Sequence, residues 1–221
     1  MNQTVPVKKS HSPTLTWQAD LAFDLSEVER ILDESLKSKH PLINEVIDHV
    51  RHYRGKRLRP ALLLLIATAC GPIQSAHHTL GAVVEMIHTA TLVHDDVLDG
   101  ATIRRHVSTV NTLWGTQASI LLGDHLFTRA FHLASTVGDA TACEIIGEST
   151  NRVCEGELRQ DLESGNLDLS EKDYLEIIDA KTAELIACCC RLAAYISGAN
   201  ENLIERLTSY GRNLGIAFQI A

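Results

Sequence analysis

The 221-residue sequence lacks any apolar run long enough to cross a bilayer. Its most apolar stretch, ALLLLIATAC from Ala61, is about half of the ~20 residues required, so no transmembrane segment is expected. It also lacks an excess of positive charge. Twenty Lys and Arg against 28 Asp and Glu leave a net charge of −8, which argues against a protein whose main task is coating nucleic acid. Any anion it binds must be held by a local basic cluster. The six cysteines (Cys70, Cys143, Cys154 and the run Cys188 to Cys190) lack the paired spacing of a zinc knuckle or disulfide scaffold, which points to a reducing cytoplasm. Adjacent helical residues point about 100° apart, so the CCC run reads as small buried packing residues rather than a metal site.

Other absences settle the architecture. No run of alternating β-branched residues is bounded by turns, as a sheet would require. Neither a fixed-period repeat nor a Pro/Ser-rich linker divides the chain. Residues 1–20 carry two lysines but no apolar core, which argues against a secretory signal. They read as a flexible arm ahead of one domain spanning 21–221.

What remains is helical. Pro60 suits the first turn of a helix that Gly71-Pro72 stops. His77 to Asp99 reads as one long helix ended by Gly100. Thr109 to Thr136, interrupted by Gly115 and Gly123, and Ala140 to Glu163 read as two more. Ser170 opens SEKD, a capping-box variant with Asp173 in the third helical position. That pattern runs to Tyr195, and a last helix starts near Asn200. The fold class is all-α.

Within the long helix lies the densest charge in the chain, LVHDDVLDGATIRR from Leu92. Asp95 and Asp99 are one turn apart on one face, and Asp96 sits about 100° around from Asp95, so all three are expected on one rim of a cavity. A solvated acidic helix end is the plainer reading, but the helix dipole disfavours anions at a C-terminus. Three clustered carboxylates call for a hard divalent cation, and magnesium typically bridges a few carboxylates to phosphate. Arg104-Arg105, past the Gly100 break, can fold back on such a ligand, because guanidinium groups present a planar fork to phosphate oxygens. His88, seven residues before Asp95, falls on nearly the same face about 10 Å along the axis. A second basic cluster, RGKRLRP from Arg54, reads by itself equally well as a solvated helix start or a partner surface. Cations at a helix N-terminus are nevertheless misplaced unless an anion sits among them.

Together these motifs resemble the trans-prenyltransferases, the polyprenyl diphosphate synthases. The resemblance runs from about Leu21 to Ala221 and rests on GKRLRP, HTATLVHDDVLD, IRR, the Gly123-Asp124 pair, EGE at Glu155, Lys181-Thr182 and GIAFQIA. It implies a bundle of long helices around a central cavity, as a homodimer. It implies that Asp95, Asp96 and Asp99 hold Mg2+ against an allylic diphosphate contacted by Arg104. Lys56, Arg59, His88 and Arg105 then hold isopentenyl diphosphate, and Lys181, Thr182 and Gln219 belong to the allylic side. In this family, bulky side chains at the level of Ala90 and Thr91 shorten the product, so small ones there imply a medium-to-long polyprenyl chain.

Two features depart from the family pattern. The basic cluster has Arg54 where a second glycine is usual, and the second aspartate-rich motif expected after GIAFQIA is missing, since the sequence stops at Ala221. The chain is therefore expected to be a piece of a synthase, weakly active or inactive alone. The alternatives are a noncatalytic regulatory subunit of a heteromeric enzyme and, from His94-Asp95, a metal-dependent phosphohydrolase. Against the last, His94 points about 100° away from Asp95 on a helix.

Overall fold

A computed structural model describes residues 19–53 and 55–221. All but the last two residues of the expected N-terminal arm, and Arg54 of the first basic cluster, lie outside the described residues. The described chain is a bundle: α1 (Ala22–Leu36), α2 (Pro41–Val50), α3 (Leu58–Cys70), α4 (Ser75–Leu98), α5 (Val110–Ser135), α6 (Ala140–Leu162), α7 (Glu171–Ile178), α8 (Glu184–Ile196) and α9 (Glu201–Ile220). A 3-10 turn, Arg51–Tyr53, follows α2, and a π turn, Asp179–Ala183, joins α7 to α8.

The helices start where short polar residues satisfy the orphan amides of the first turn. Thr109 Oγ1 accepts from Thr112 N at 3.2 Å, Asp139 from Ala142 N at 2.8 Å, and Asn200 from Leu203 N at 3.0 Å. Ser170 Oγ accepts from Asp173 N at 3.1 Å and donates to the Asp173 carboxylate, so the cap forms, with Asp173 bonded to the serine hydroxyl in place of the backbone N–H of the expected capping box. Gly115, with φ 84° and ψ 167°, kinks α5 near its start.

Helix α4 is the central post. Its Leu80, Val83, Val84, Met86, Ile87, Ala90 and Val93 are essentially inaccessible, each large side chain contributing about 1.5–3 kcal/mol by burial. Around it pack α1, α3, α5 and α8, while α6 and α9 flank α8. Cys188, Cys189 and Cys190 are buried in the core, and burial pushes the Cys188 and Cys190 thiols up to about 12. They are inert packing residues.

One element was not expected. A two-residue antiparallel ladder pairs Ile103 with Ser108 and Arg104 with Val107. Its turn residues, Arg105 and His106, both take positive φ, at 51° and 69°, as a tight hairpin turn demands. The IRR motif therefore sits on a hairpin instead of a simple loop.

Candidate active site

Between the start of α3, the middle and end of α4, the π turn and the end of α9 lies a cleft of about 340 Å³. Lys56, Arg59, His88, Thr91, Asp95, Arg105, Lys181, Thr182 and Gln219 all line it. Six stretches separated by up to 163 residues in sequence, from Lys56 to Gln219, thus meet in one concavity.

The basic side of the cleft is held by strained backbone. Arg57 caps α3 in a left-handed conformation, with φ 53°, and Arg105 adopts a similar one in the hairpin turn. Such strain persists only where surrounding structure enforces it. The Arg57 guanidinium is enforced by Glu29 on α1 and buried Glu85 on α4, which fixes the loop between Lys56 and Arg59. The Arg105 guanidinium folds over Gly55, into the space that a Cβ there would enter. A side chain at position 55 would have to displace that flexible guanidinium.

Arg59 has a buried Nε with no hydrogen-bond partner, and burial holds its guanidinium below the usual arginine range. His88 is pushed well below the ordinary histidine range by burial, then by the charges of Arg59, Arg105, Arg104 and Arg57. It stays neutral at pH 7. An unpaired guanidinium, two further cations and a neutral imidazole form a surface that an anion would complete.

The opposite side is acidic, with a single lysine among the carboxylates. Burial, followed by the Glu157 charge, lifts the Asp95 carboxyl to about 6. Lys181 Nζ donates to Glu157 Oε1 at 2.7 Å, and Thr182 Oγ1 donates to Gln219 Oε1 at 3.1 Å. Lys181 and Thr182 sit in the π turn, where a local widening of the helix re-aims side chains.

The three aspartates do not share one rim. Asp95 faces the cleft, and Asp99 is exposed at the end of α4. Asp96, only 1% exposed, points inward and accepts from Arg104 Nε at 2.7 Å, while its Oδ2 is buried without a hydrogen-bond partner. The 100° offset per residue, combined with burial of that face, explains the split. Arg104 is thereby turned onto Asp96 and does not line the cleft. Ala90 belongs to the core, whereas Thr91 faces the cleft with its hydroxyl donated to His88 O at 2.8 Å. His94 turns to α5, where Nε2 meets Ile120 O at 3.1 Å, and takes no part in the cleft.

Among the described residues no group of three His, Cys, Asp or Glu side chains converges tightly enough to hold a metal by itself. Asp95 and Asp99 suit a cation that draws its remaining ligands from phosphate and water, because Glu157 and Asp99 already crowd Asp95 with negative charge. Sequence reasoning left Arg57, Glu85 and Glu157 without roles. Glu157 was visible inside the EGE motif, but its ion pair with Lys181 needs tertiary structure.

With this geometry the comparisons are decisive. A sequence model of the family described as polyprenyl synthetase matches residues 40–221. The chain belongs to the polyprenyl synthetase family. It is 37% identical over 199 residues to the octaprenyl diphosphate synthase of Escherichia coli strain K12, covering 90% of this chain and 62% of that protein. A decaprenyl diphosphate synthase from Rhodobacter capsulatus superposes with a TM-score of 0.89 at 41% identity, covering 92% of this chain and 63% of that one. A polyprenyl synthase from Caulobacter crescentus CB15, complexed with calcium and isoprenyl diphosphate, superposes at 0.88 with 39% identity, covering 92% and 62%. The chain thus spans about 62% of the length of the Escherichia coli and Shigella flexneri octaprenyl diphosphate synthases and 40% of the Dictyostelium discoideum decaprenyl-diphosphate synthase. No described helix is long and apolar enough to cross a membrane.

Proposed function

We propose that the cleft binds two diphosphate esters and serves the condensation of isopentenyl diphosphate with an allylic diphosphate, lengthening a trans-polyprenyl chain. One observation carries the reading: Arg59, whose buried Nε has no hydrogen-bond partner, shares a single cavity with Lys56, Arg105 and Asp95. Lys56, Arg59, Arg105 and neutral His88 hold isopentenyl diphosphate by charge-assisted hydrogen bonds. Lys181, Thr182 and Gln219 hold the allylic diphosphate, with Arg104 reaching it if its bond to Asp96 opens.

Magnesium, held by Asp95 and Asp99 with Asp96 beside them, would neutralise the departing diphosphate. Supporting a divalent ion are the charge surplus around Asp95 and the calcium in the Caulobacter crescentus relative. The chain's own cations stabilise charge developing on the leaving oxygen as the carbon–oxygen bond breaks, and a weakly hydrated cleft strengthens that effect. The double bond of isopentenyl diphosphate then attacks the allylic carbon, a new carbon–carbon bond forms and a proton departs. Leu92, Val153 and Phe218 also line the cleft and give the hydrocarbon tail apolar contacts.

A medium-to-long product fits the small side chains Ala90 and Thr91 and the octaprenyl and decaprenyl relatives. A homodimer working in the cytoplasm completes the proposal. The test is calorimetric titration of the 221-residue chain with isopentenyl diphosphate and magnesium, alongside incorporation of labelled isopentenyl diphosphate. Binding is expected to weaken about tenfold or more in Arg59→Ala, the loss of a charge-assisted contact. Affinity that ignores Arg59→Ala, Lys56→Ala and Arg105→Ala alike removes the cleft from consideration.

A further inference from the structure

Lys181 and Thr182 reach the cleft from the inner side of the five-residue π turn Asp179–Ala183. Carboxylates mark its two ends, Asp179 and, one residue beyond, Glu184. Neither lines the cleft. Instead Arg212 on α9 donates to both Asp179 oxygens, at 2.6 and 2.7 Å, and to Glu184 Oε2 at 2.8 Å. Arg152 on α6 reaches Asp179 Oδ2 at 3.1 Å and Glu184 Oε2 at 2.9 Å. Ser149 donates to the other Glu184 oxygen at 2.9 Å, and Glu184 is only 6% exposed. Two guanidinium groups and two carboxylates therefore close into a neutral ring with its acceptors engaged. Such a ring offers no spare charge to a ligand, so its work is structural and local.

Packing points the same way. A Cβ on Gly156 of α6 would fall 2.6 Å from Lys181 N, and one on Gly215 of α9 would fall 2.5 Å from Ala183 Cα. The turn is thus gripped at backbone distance by both helices. Those same helices supply Glu157 to Lys181 and Gln219 to Thr182. A π turn is rare and occurs mostly as a single-turn bulge within a helix, frequently at functional sites.

We propose that Arg152, Arg212, Asp179 and Glu184 form a positioning clamp that holds the π turn between α6 and α9, presenting Lys181 and Thr182 to the cleft before ligand arrives. This deepens, and rests on, the reading of the cleft as a diphosphate site. Its advantage is preorganisation: a lysine already aimed loses less freedom on binding.

The experiment uses the 221-residue chain with inorganic diphosphate and magnesium as the probe, measuring Kd by calorimetry and backbone hydrogen exchange over residues 179–184. Lys181→Ala is expected to weaken binding about tenfold. Arg212→Ala should weaken it by a similar factor and accelerate exchange across the turn more than in α4, while Arg212→Lys recovers most of both. Because the effect runs through Lys181, Arg212→Ala combined with Lys181→Ala should bind no more weakly than Lys181→Ala alone. If Arg212→Ala does not fold, Glu184→Gln, nearly isosteric and still able to accept from Ser149, is read the same way. The clamp is overturned if Lys181→Ala weakens binding while Arg212→Ala stays within twofold, if the double variant shows additive losses, or if exchange over 179–184 is unchanged. A Lys181→Ala chain that binds diphosphate normally would instead defeat the cleft reading, and the exchange data would still decide whether the ring holds the turn.

Discussion

The two walls of the cleft are built on opposite terms. On the α3 side, Lys56, Arg59 and Arg105 have no carboxylate within ion-pair distance among the described residues, and the backbone beside them is strained at Arg57 and at Arg105 itself. On the π-turn side every charge is answered: Lys181 by Glu157, Asp179 and Glu184 by Arg152 and Arg212. Lys56 and Arg105 are solvent-exposed, so Arg59 with its buried Nε is the one whose unanswered charge costs the empty fold and favours an anion. The arginine–carboxylate ring on the other side rigidifies the turn, and Lys181, though paired with Glu157, still lines the cleft. The first wall is thus poised for a ligand, and the second holds its residues ready for it.

The largest expected effect comes from breaking the packed wall. Gly156→Val would drive a branched side chain into Lys181 N and Ala180 Cβ, which lie 2.6 and 2.7 Å from the nearest possible Cβ. Overpacking of this kind costs about 3 kcal/mol. Chemical denaturation should show that loss, and an unchanged midpoint would mean that α6 and the turn are not tightly packed. The next effect concerns Asp95, which sits between the walls. Its folded value, about 6, exceeds the ordinary 3.8, so the folded chain holds the proton more tightly than the unfolded one. Stability of the metal-free protein should therefore fall as pH rises from about 4 to about 6, by on the order of 2 kcal/mol for this half-buried group, and then level off. Asp95→Asn should remove that component, and parallel pH curves for the two proteins would contradict it.

The smallest effect sharpens the contrast from the other wall. Arg59→Met keeps most of the volume but removes an unpaired buried cation, so thermal stability should rise by about 1 kcal/mol while diphosphate affinity falls. A drop in melting temperature would show that Arg59 is answered by some group after all. The same exchange at Arg212, a paired cation, should destabilise the chain.

Much of this was legible from local signals. The helix starts at Thr109, Ser170 and Asn200 were readable because capping is a matter of a few adjacent residues, and the buried CCC run followed from helical angles alone. Lys56, Arg59, Asp95 and Arg105 were readable as charge clustered at helix ends, and His88 from its alignment with the acidic face, whereas Lys181, Thr182 and Gln219 were reached only through the family resemblance. The shared rim for Asp95, Asp96 and Asp99 was not found, because periodicity gives a residue's direction along its own helix but not which side the rest of the chain buries. The hairpin at Ile103 escaped for a related reason: two-residue strands carry no period.

Residue types and their spacing were enough to set the all-α class and the packing role of the cysteine run, and they pointed to a ligand that could sit between opposed charges. Tertiary structure alone decided which charges find partners. Asp96 is bonded to Arg104 while Asp95 is left to the cleft, Arg105 fills the space above Gly55, and Glu184 closes a ring with arginines from two other helices. Those outcomes depend on distances between segments far apart in the chain, and electrostatic energy falls with distance and with the water between charges. No reading along one dimension contains either quantity.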